Sequence, residues 1–186
     1  MHKQLTILGI DPGTVIMGYS VICCHSARVE VLDMGVLKLS RQKDHYERLQ
    51  LIDEKVTQLI ETFTPGVLAI ESPFQGKNIQ SMLKLGRAQG VAIVCARRAG
   101  LQVTEYSPKK VKQAVTGNGN AGKQQVWLML RHQLQLPHEP EYYDATDALA
   151  VALCHYYALQ QPVSASTSGK KAWKEFLAQH PDRIIP

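Results

Sequence analysis

Four acidic residues of this 186-residue chain lie at the ends of apolar segments. Asp11 and Glu71 each follow a short apolar run that is typical of a buried strand. Asp144 and Asp147 begin the last apolar helical segment, and a spacing of three residues places them within about 60° on one helix face. If both strands belong to one sheet, the four carboxylates can meet at one edge, where they would repel one another unless cations were bound.

The residue types indicate which cation would suit such a site. Carboxylate oxygens without a His or Cys partner favour Mg²⁺, with Mn²⁺ as a substitute, over zinc. Two such ions about 3.5–4 Å apart can activate a water and stabilise the leaving oxygen of a phosphodiester. The four acids therefore predict a two-ion, metal-dependent phosphodiester hydrolase.

Each acid also has a purely structural interpretation. Asp11 begins an Asp-Pro-Gly sequence, which is a β-turn pattern in its own right. Glu71 precedes Ser72-Pro73 and could be a solvated residue leaving the sheet. Asp144 and Asp147 match a helix N-cap and its third-position acid. All four acids, however, lie at the ends of predicted elements that can meet at one edge of the sheet. This joint pattern favours the catalytic interpretation.

The elements that must position these acids follow from the apolar periodicity. Three β-rich runs open the chain and predict an antiparallel meander. Alternating helical and apolar segments follow, so we expect a single α/β domain with a mixed five-stranded sheet covered by helices. The predicted strands are Leu5–Ile10, Tyr19–Cys24, Val29–Leu39, Val67–Ile70 and Gln102–Tyr106, and the predicted helices are Asp44–Thr64, Asn78–Ala99, a short basic helix after Pro108, Lys123–Leu134 and Asp144–Leu159.

Composition restricts the class of protein further. Hydrophobic residues form 45% of the chain, and no apolar run approaches the length of a membrane span. The N-terminus lacks a signal-peptide pattern, and the four cysteines form no Cys-x-x-Cys pair, so we expect reduced core thiols and a cytoplasmic location. Residues 1–160 are predicted to form the folded domain. A Ser-rich segment after Pro162 predicts a flexible or weakly packed C-terminal tail over residues 161–186.

Charge is distributed unevenly along the chain. The net charge is +5, yet ten basic residues lie between Lys77 and Arg131, where Glu105 is the one acid. Such a basic segment is typical of a nucleic-acid-binding surface, although an ordinary basic surface would give the same count.

Segments spread along the chain carry a resemblance to a known family. They are Gly9–Thr14 with Gly18-Tyr19, Ala69–Glu71 with Phe74, Lys77-Asn78, Lys84–Val91, Glu105-Tyr106, Val111–Gln113 and Asp144–Ala150. In this order they resemble the RuvC-type Holliday-junction resolvases. The resemblance covers about residues 5–158 and implies a ribonuclease-H-like fold. It implies a homodimeric crossover junction endodeoxyribonuclease that resolves four-way DNA junctions by paired symmetric nicks in recombination and repair, with the RuvA–RuvB branch-migration complex as partner. The family's metal ligands carry over onto the same four acids.

The resemblance also suggests DNA contacts. Phe74, three residues after Glu71, is expected to stack on bases at the junction centre, with Lys77 in the same loop. Lys112 and Lys123 resemble basic residues near the scissile phosphate. The alternatives are a core-capping Phe and ordinary surface lysines. Ser72-Pro73 and Gly122 depart from the family pattern, which leaves the geometry of the junction loops open.

Other functions were weighed against this one. The segment Gly117–Lys123 has the GxxxxGK spacing of a nucleotide-binding P-loop, but Gln124 replaces the Mg²⁺-binding hydroxyl and a basic helix precedes it. An actin-like or sugar-kinase phosphotransferase would need two related domains and about twice this length. A junction-binding protein without cleavage activity is disfavoured because all four acids are present.

One predicted helix could also form a dimer interface. The chain supplies a single acidic centre, so paired nicks require a second copy related by two-fold symmetry. The helix Asn78–Ala99 offers small or apolar residues for close approach, although it must also cover the sheet. The candidate interface residues are Leu85, Gly86, Ala88, Gly90, Val91, Ala92 and Val94.

Overall fold

A computed structural model describes residues 4–25, 28–39, 44–73, 78–138 and 140–160. It contains a five-stranded mixed sheet in the order β3-β2-β1-β4-β5, with helices on both faces, as predicted. No helix in these ranges is long and apolar enough to cross a membrane. The strands are β1 (Leu5–Asp11), β2 (Ile16–Cys24), β3 (Val29–Lys38), β4 (Val67–Glu71) and β5 (Gln102–Tyr106), and the helices are α1 (His45–Phe63), α2 (Ile79–Arg98), α3 (Pro108–Thr116), α4 (Lys123–Leu134) and α5 (Tyr143–Gln160).

The sheet combines both strand directions. Strands β1, β2 and β3 form the expected antiparallel meander, whereas β4 runs parallel to both β1 and β5. Strand β2 begins at Ile16, three residues earlier than predicted, because its ladder with β3 extends to the pair Ile16–Lys38. Ile10 lies beside Ile70 in the parallel pair, so Asp11 and Glu71 are adjacent at one sheet edge.

Each face of the sheet packs against a layer of helices through its own apolar core. Leu8, Ile10 and Ile70 pack with α1 and α2 on one face. Ile7, Val67 and Ala69 pack with α3, α4 and α5 on the other. Because strand side chains alternate between faces, the side chains of Asp11 and Glu71 lie on the face that α5 covers.

Two glycines allow α5 to approach the sheet closely. A Cβ atom on Gly18 would collide with the backbone carbonyl oxygen of Asp144, and one on Gly9 would collide with that of Ala148. Any larger residue at either position would therefore displace the helix. These contacts hold the first turns of α5 against β1 and β2.

The predicted helix ends are largely confirmed. Asp44 and Glu47 form a reciprocal capping box at the start of α1. Ser107 caps α3, and Pro108 occupies the first turn of that helix. Gly100, with φ of 81°, follows α2 as expected for a helix stop.

The four cysteines are free and buried, as predicted. Two of the basic residues on α2 have intramolecular roles. Arg98 forms an ion pair with Asp53 at 3.1 Å, and Arg97 donates to the carbonyl oxygen of Leu101 at 2.9 Å. Both lie at the C-terminal end of the helix, within the basic segment between Lys77 and Arg131. The predicted tail 161–186 lies outside the described residues.

Candidate active site

Three elements bring the predicted acids together at one sheet edge. Asp11 is the last residue of β1 and Glu71 the last residue of β4. Asp144 and Asp147 lie in the first turns of α5, against the adjacent strands. All four side chains are partly buried.

The four carboxylates interact electrostatically. Burial, followed by the charges of Glu71, Asp147 and Asp144, raises the pKa of Asp11 from 3.8 to about 8. The nearby Lys123 ammonium only partly opposes this rise. Without a cation, a proton on Asp11 would relieve the repulsion.

Glu71 belongs to the same electrostatic group. Burial, and then the charge of Asp147, raises its pKa from 4.5 to about 7. The positive charges of Lys112 and Lys123 lower it again. The structure thus places both predicted phosphate-binding lysines beside the acids.

Lys123 makes the most direct contact with the acidic group. Its Nζ atom lies 2.8 Å from Oδ2 of Asp147. Burial acts to lower the pKa of Lys123, but the hydrogen bond to Asp147 and the charges of Asp147, Asp144 and Asp11 outweigh it and raise the pKa. Lys123 is the first residue of α4, and Gly122 is the N-cap.

Several structural alternatives can now be decided. Asp144 is the second residue of α5 and lies inside the helix, so the N-cap interpretation is wrong. Glu71 is the final strand residue and is partly buried, so it is not a solvated residue beyond the sheet. The P-loop alternative also fails, because helix α3 and not a strand precedes the segment Gly117–Lys123. Phe74 and Lys77 lie outside the described residues.

Comparison with known proteins identifies the family. Residues 7–155 match the family model described as "Crossover junction endodeoxyribonuclease RuvC". The chain belongs to the RuvC family. The RuvC of Bacteroides fragilis is 48% identical over 184 residues, which cover 98% of this chain and 97% of that protein. The RuvC of Porphyromonas gingivalis is 47% identical over 186 residues, covering 98% of each chain.

Solved structures agree with this assignment. Thermus thermophilus RuvC in complex with a Holliday junction substrate is 35% identical with a TM-score of 0.79, covering 84% of this chain and 95% of that chain. The yeast mitochondrial Holliday junction resolvase Ydc2, at 16% identity and a TM-score of 0.61 over 83% and 78% of the two chains, shares the fold. The ribonuclease-H-like fold and the nuclease class expected from the sequence are confirmed.

The donor set of this RuvC family member suits a hard divalent cation. Four carboxylates, each partly buried and several repelling one another, offer oxygen ligands and a reason to bind positive charge. Across the described ranges, however, no three His, Cys, Asp or Glu side chains already surround one ion position. Asp147 instead contacts Lys123. Ion binding would therefore require side-chain rotation and release of that lysine.

Sequence reasoning did not identify two polar contacts behind the acids. Arg48 of α1 donates to the carbonyl oxygen of Thr14, in the turn that follows Asp11, at 3.0 Å. Gln89 of α2 is buried and contacts the backbone of Glu71. One sign of the Gln89 contact was visible in the sequence: a polar residue stands on the same side of α2 as Ala88 and Ala92, which are also buried.

Proposed function

We propose that this RuvC family member resolves Holliday junctions by hydrolysing one phosphodiester in each of two opposed strands, at a site formed by the four acids. The observation that carries this proposal is the meeting of Asp11, Glu71, Asp144 and Asp147 from three elements at one sheet edge, with two lysines beside them. The relative from Thermus thermophilus, bound to a Holliday junction substrate, supports the choice of a four-way junction.

The acids are proposed as ligands of two Mg²⁺ ions, for which Mn²⁺ would substitute. Such ions supply an activated water and stabilise the leaving oxygen of the phosphodiester. Asp11 and Glu71 would act from fixed strand ends, and Asp144 and Asp147 from adjacent turns of α5. Because two rigid strands and a packed helix carry them, the main-chain positions of the four ligands are fixed before substrate binds, and only their side chains need to rotate.

Lys112 and Lys123 are proposed to contact the scissile phosphate. Both side chains place positive charge beside Glu71, where a phosphate group and its developing negative charge would lie. Lys123 would exchange Asp147 for phosphate when ions and DNA bind. This exchange keeps the lysine paired in both states.

The activity is tested with a synthetic four-way junction beside a linear duplex of the same sequence, each with Mg²⁺. We expect paired nicks at symmetric positions in the junction and little cleavage of the duplex. Ca²⁺, which is larger and accepts looser coordination, should support binding without useful cleavage. Equal cleavage of duplex and junction would contradict the proposed structural selectivity.

Phe74 and Lys77 are proposed to act at the junction centre. Phe74→Ala should slow cleavage of an intact junction more than it weakens binding, because stacking on an unpaired base would help to open the centre. A junction with unpaired central bases should restore the cleavage rate of the variant. If that substrate gave no recovery, Phe74 would not act by opening the junction.

The surface of α2 supports a homodimer. Its exposed side carries apolar residues, and a Cβ atom on Gly86 or Gly90 would meet nothing within 4 Å among the residues that the structure describes. Neither glycine is therefore required by contacts within one subunit. Ala88 and Ala92, which the sequence included in the interface, are instead buried in the subunit's own core, because that side of α2 covers the sheet. The exposed apolar residues are Ile79, Leu83 and Val94.

The remaining cellular assignments are also proposals. A junction resolvase acts after branch migration has placed the crossover, so a RuvA–RuvB complex is the proposed protein partner. A cytoplasmic location is proposed as well, since the proposed substrate is DNA. We further propose that residues 1–160 form the nuclease domain and that residues 161–186 are a weakly packed extension.

A further inference from the structure

Gln89 is a buried polar residue on a helix that contributes none of the four acids. Its side chain is 7% exposed, and it lies on the side of α2 that faces the sheet. The Nε2 atom donates to Oε2 of Glu105 at 2.8 Å and to the backbone carbonyl oxygen of Glu71 at 3.4 Å. One amide group therefore joins α2 to the ends of both β4 and β5.

The two acceptors of this amide lie on neighbouring strands. Glu105 pairs with Ile70, and Glu71 pairs with Tyr106. Ile70 packs in the α1/α2 core and Tyr106 in the α5 core, so Glu105 faces α2 whereas the Glu71 carboxylate faces the acids of α5. Gln89 therefore contacts the main chain of Glu71 from the face opposite the reaction centre.

Glu105 fixes the orientation of the Gln89 amide. An ionised carboxylate can only accept hydrogen bonds, so the NH₂ group and not the carbonyl oxygen of Gln89 must face it. The second hydrogen of the same NH₂ group is then available to the Glu71 carbonyl. A hydrogen bond to a charged acceptor is also stronger than a neutral one, which holds this arrangement firmly.

The end of β4 needs such an anchor. After Glu71, the amide nitrogen of Ser72 donates to the carbonyl oxygen of Tyr106 at 2.9 Å. Strand β4 itself ends at Glu71. The Glu71 side chain meanwhile experiences repulsion from Asp147. An anchor on the main chain opposes the movement that this repulsion favours.

We propose that Gln89 is a positioning residue for Glu71: its amide, oriented by Glu105, holds the end of β4 so that the Glu71 carboxylate stays at the ion-binding edge. This inference rests on the proposed role of Glu71 as a metal ligand. It assigns α2 a role in the active site as well as in sheet packing and the proposed dimer.

The first test replaces Gln89 with Met, which has similar length but donates no hydrogen bond. Gln89→Met should lower the single-turnover cleavage rate about 10–100-fold, the usual cost of losing a residue that orients a metal ligand. Junction affinity measured without divalent ions should change less than about twofold, since phosphate contacts dominate binding. The rise in melting temperature caused by Mg²⁺ alone should become smaller. Gln58→Met, the same change at an exposed site on α1, should leave all three values unchanged.

Two further variants separate positioning from simple packing. Glu105→Gln retains an acceptor for Gln89 but also offers it a donor, so the Gln89 amide is no longer held in one orientation, and cleavage should fall less than in Gln89→Met. The exchanged pair Gln89→Glu with Glu105→Gln can keep a hydrogen bond between α2 and β5, but position 89 then has no donor for the Glu71 carbonyl. It should remain as slow as Gln89→Met. A wild-type rate in the exchanged pair would overturn the proposal, because the contact would then serve only to join α2 to β5.

The Glu71→Gln variant, assayed in parallel, distinguishes this inference from the proposed function. If Glu71→Gln cleaves normally, the assignment of Glu71 as a ligand is wrong. If Glu71→Gln is inactive while Gln89→Met has wild-type cleavage and an unchanged response to Mg²⁺, the site stands and the positioning role of Gln89 is wrong.

Discussion

Asp11→Asn should abolish junction cleavage and, at the same time, stabilise the metal-free protein. We expect the cleavage rate to fall by about 10³-fold or more, because a lost ion ligand removes several kcal/mol of transition-state stabilisation. Junction affinity should be kept, since basic residues and not the acids attract phosphates. Single-turnover kinetics and a binding titration without Mg²⁺ measure the two effects separately.

The gain in stability follows from the electrostatics of the site. Asp11 is a partly buried acid whose pKa is raised to about 8, first by burial and then by the charges of Glu71, Asp147 and Asp144. At pH 8 and without metal, the neutral amide removes a charge that this environment disfavours, so the melting temperature should rise by a few degrees. Mg²⁺ should then stabilise the wild type more than the variant. Asp33→Asn, the same change on β3, should alter neither cleavage nor the response to Mg²⁺.

Unchanged metal-free stability, together with retained cleavage, would contradict the site. Asp11 would then be a turn residue of the Asp-Pro-Gly type, at a turn position that accepts Asn as well as Asp. This alternative was open from the sequence. The catalytic interpretation predicts a rise in melting temperature and the turn interpretation predicts none, so the thermal measurement tests the site independently of the activity.

The acidic centre could be predicted from the sequence because its parts are local signals. Asp11 and Glu71 each follow an apolar strand run, and the three-residue spacing of Asp144 and Asp147 defines one helix face. Their meeting at one edge follows from the parallel pairing of β1 with β4. The prediction that the acids meet depends on the type and order of the elements. Errors of a few residues at the strand ends therefore did not change it.

The contacts of α2 could not be predicted in the same way. Apolar periodicity predicts the helix, but small and apolar residues occur on two of its sides. The pattern therefore does not tell which of the small residues face the sheet. Ala88 and Ala92 face it, whereas Gly86 and Gly90 do not. The Gln89 amide contacts depend on how α2 crosses β4 and β5, which is a property of the tertiary packing.

The exposed apolar residues of α2 should hold the two subunits of the proposed dimer together. We expect the wild type to form dimers and the double variant Leu83→Glu, Val94→Glu to form monomers. Both side chains are more than half exposed in one subunit, at 54% and 61%, so the fold should tolerate the change. In a two-fold interface each substitution occurs twice, so negative charges of the two subunits face each other. Their repulsion should weaken association roughly a hundredfold or more. Light scattering without DNA would detect the halved mass.

The cleavage pattern should change together with the mass. At saturating protein, the monomeric variant should give junctions with single nicks, because each chain supplies one acidic centre. Mixing the wild type with Asp11→Asn subunits should give the same product from dimers that have one active site. Leu128→Glu, at an apolar position on α4 with 53% exposure, is the matched control and should keep both the dimer mass and the paired nicks. Paired cuts made by a protein that remains monomeric on the junction would show that symmetry between subunits is not what places the two nicks.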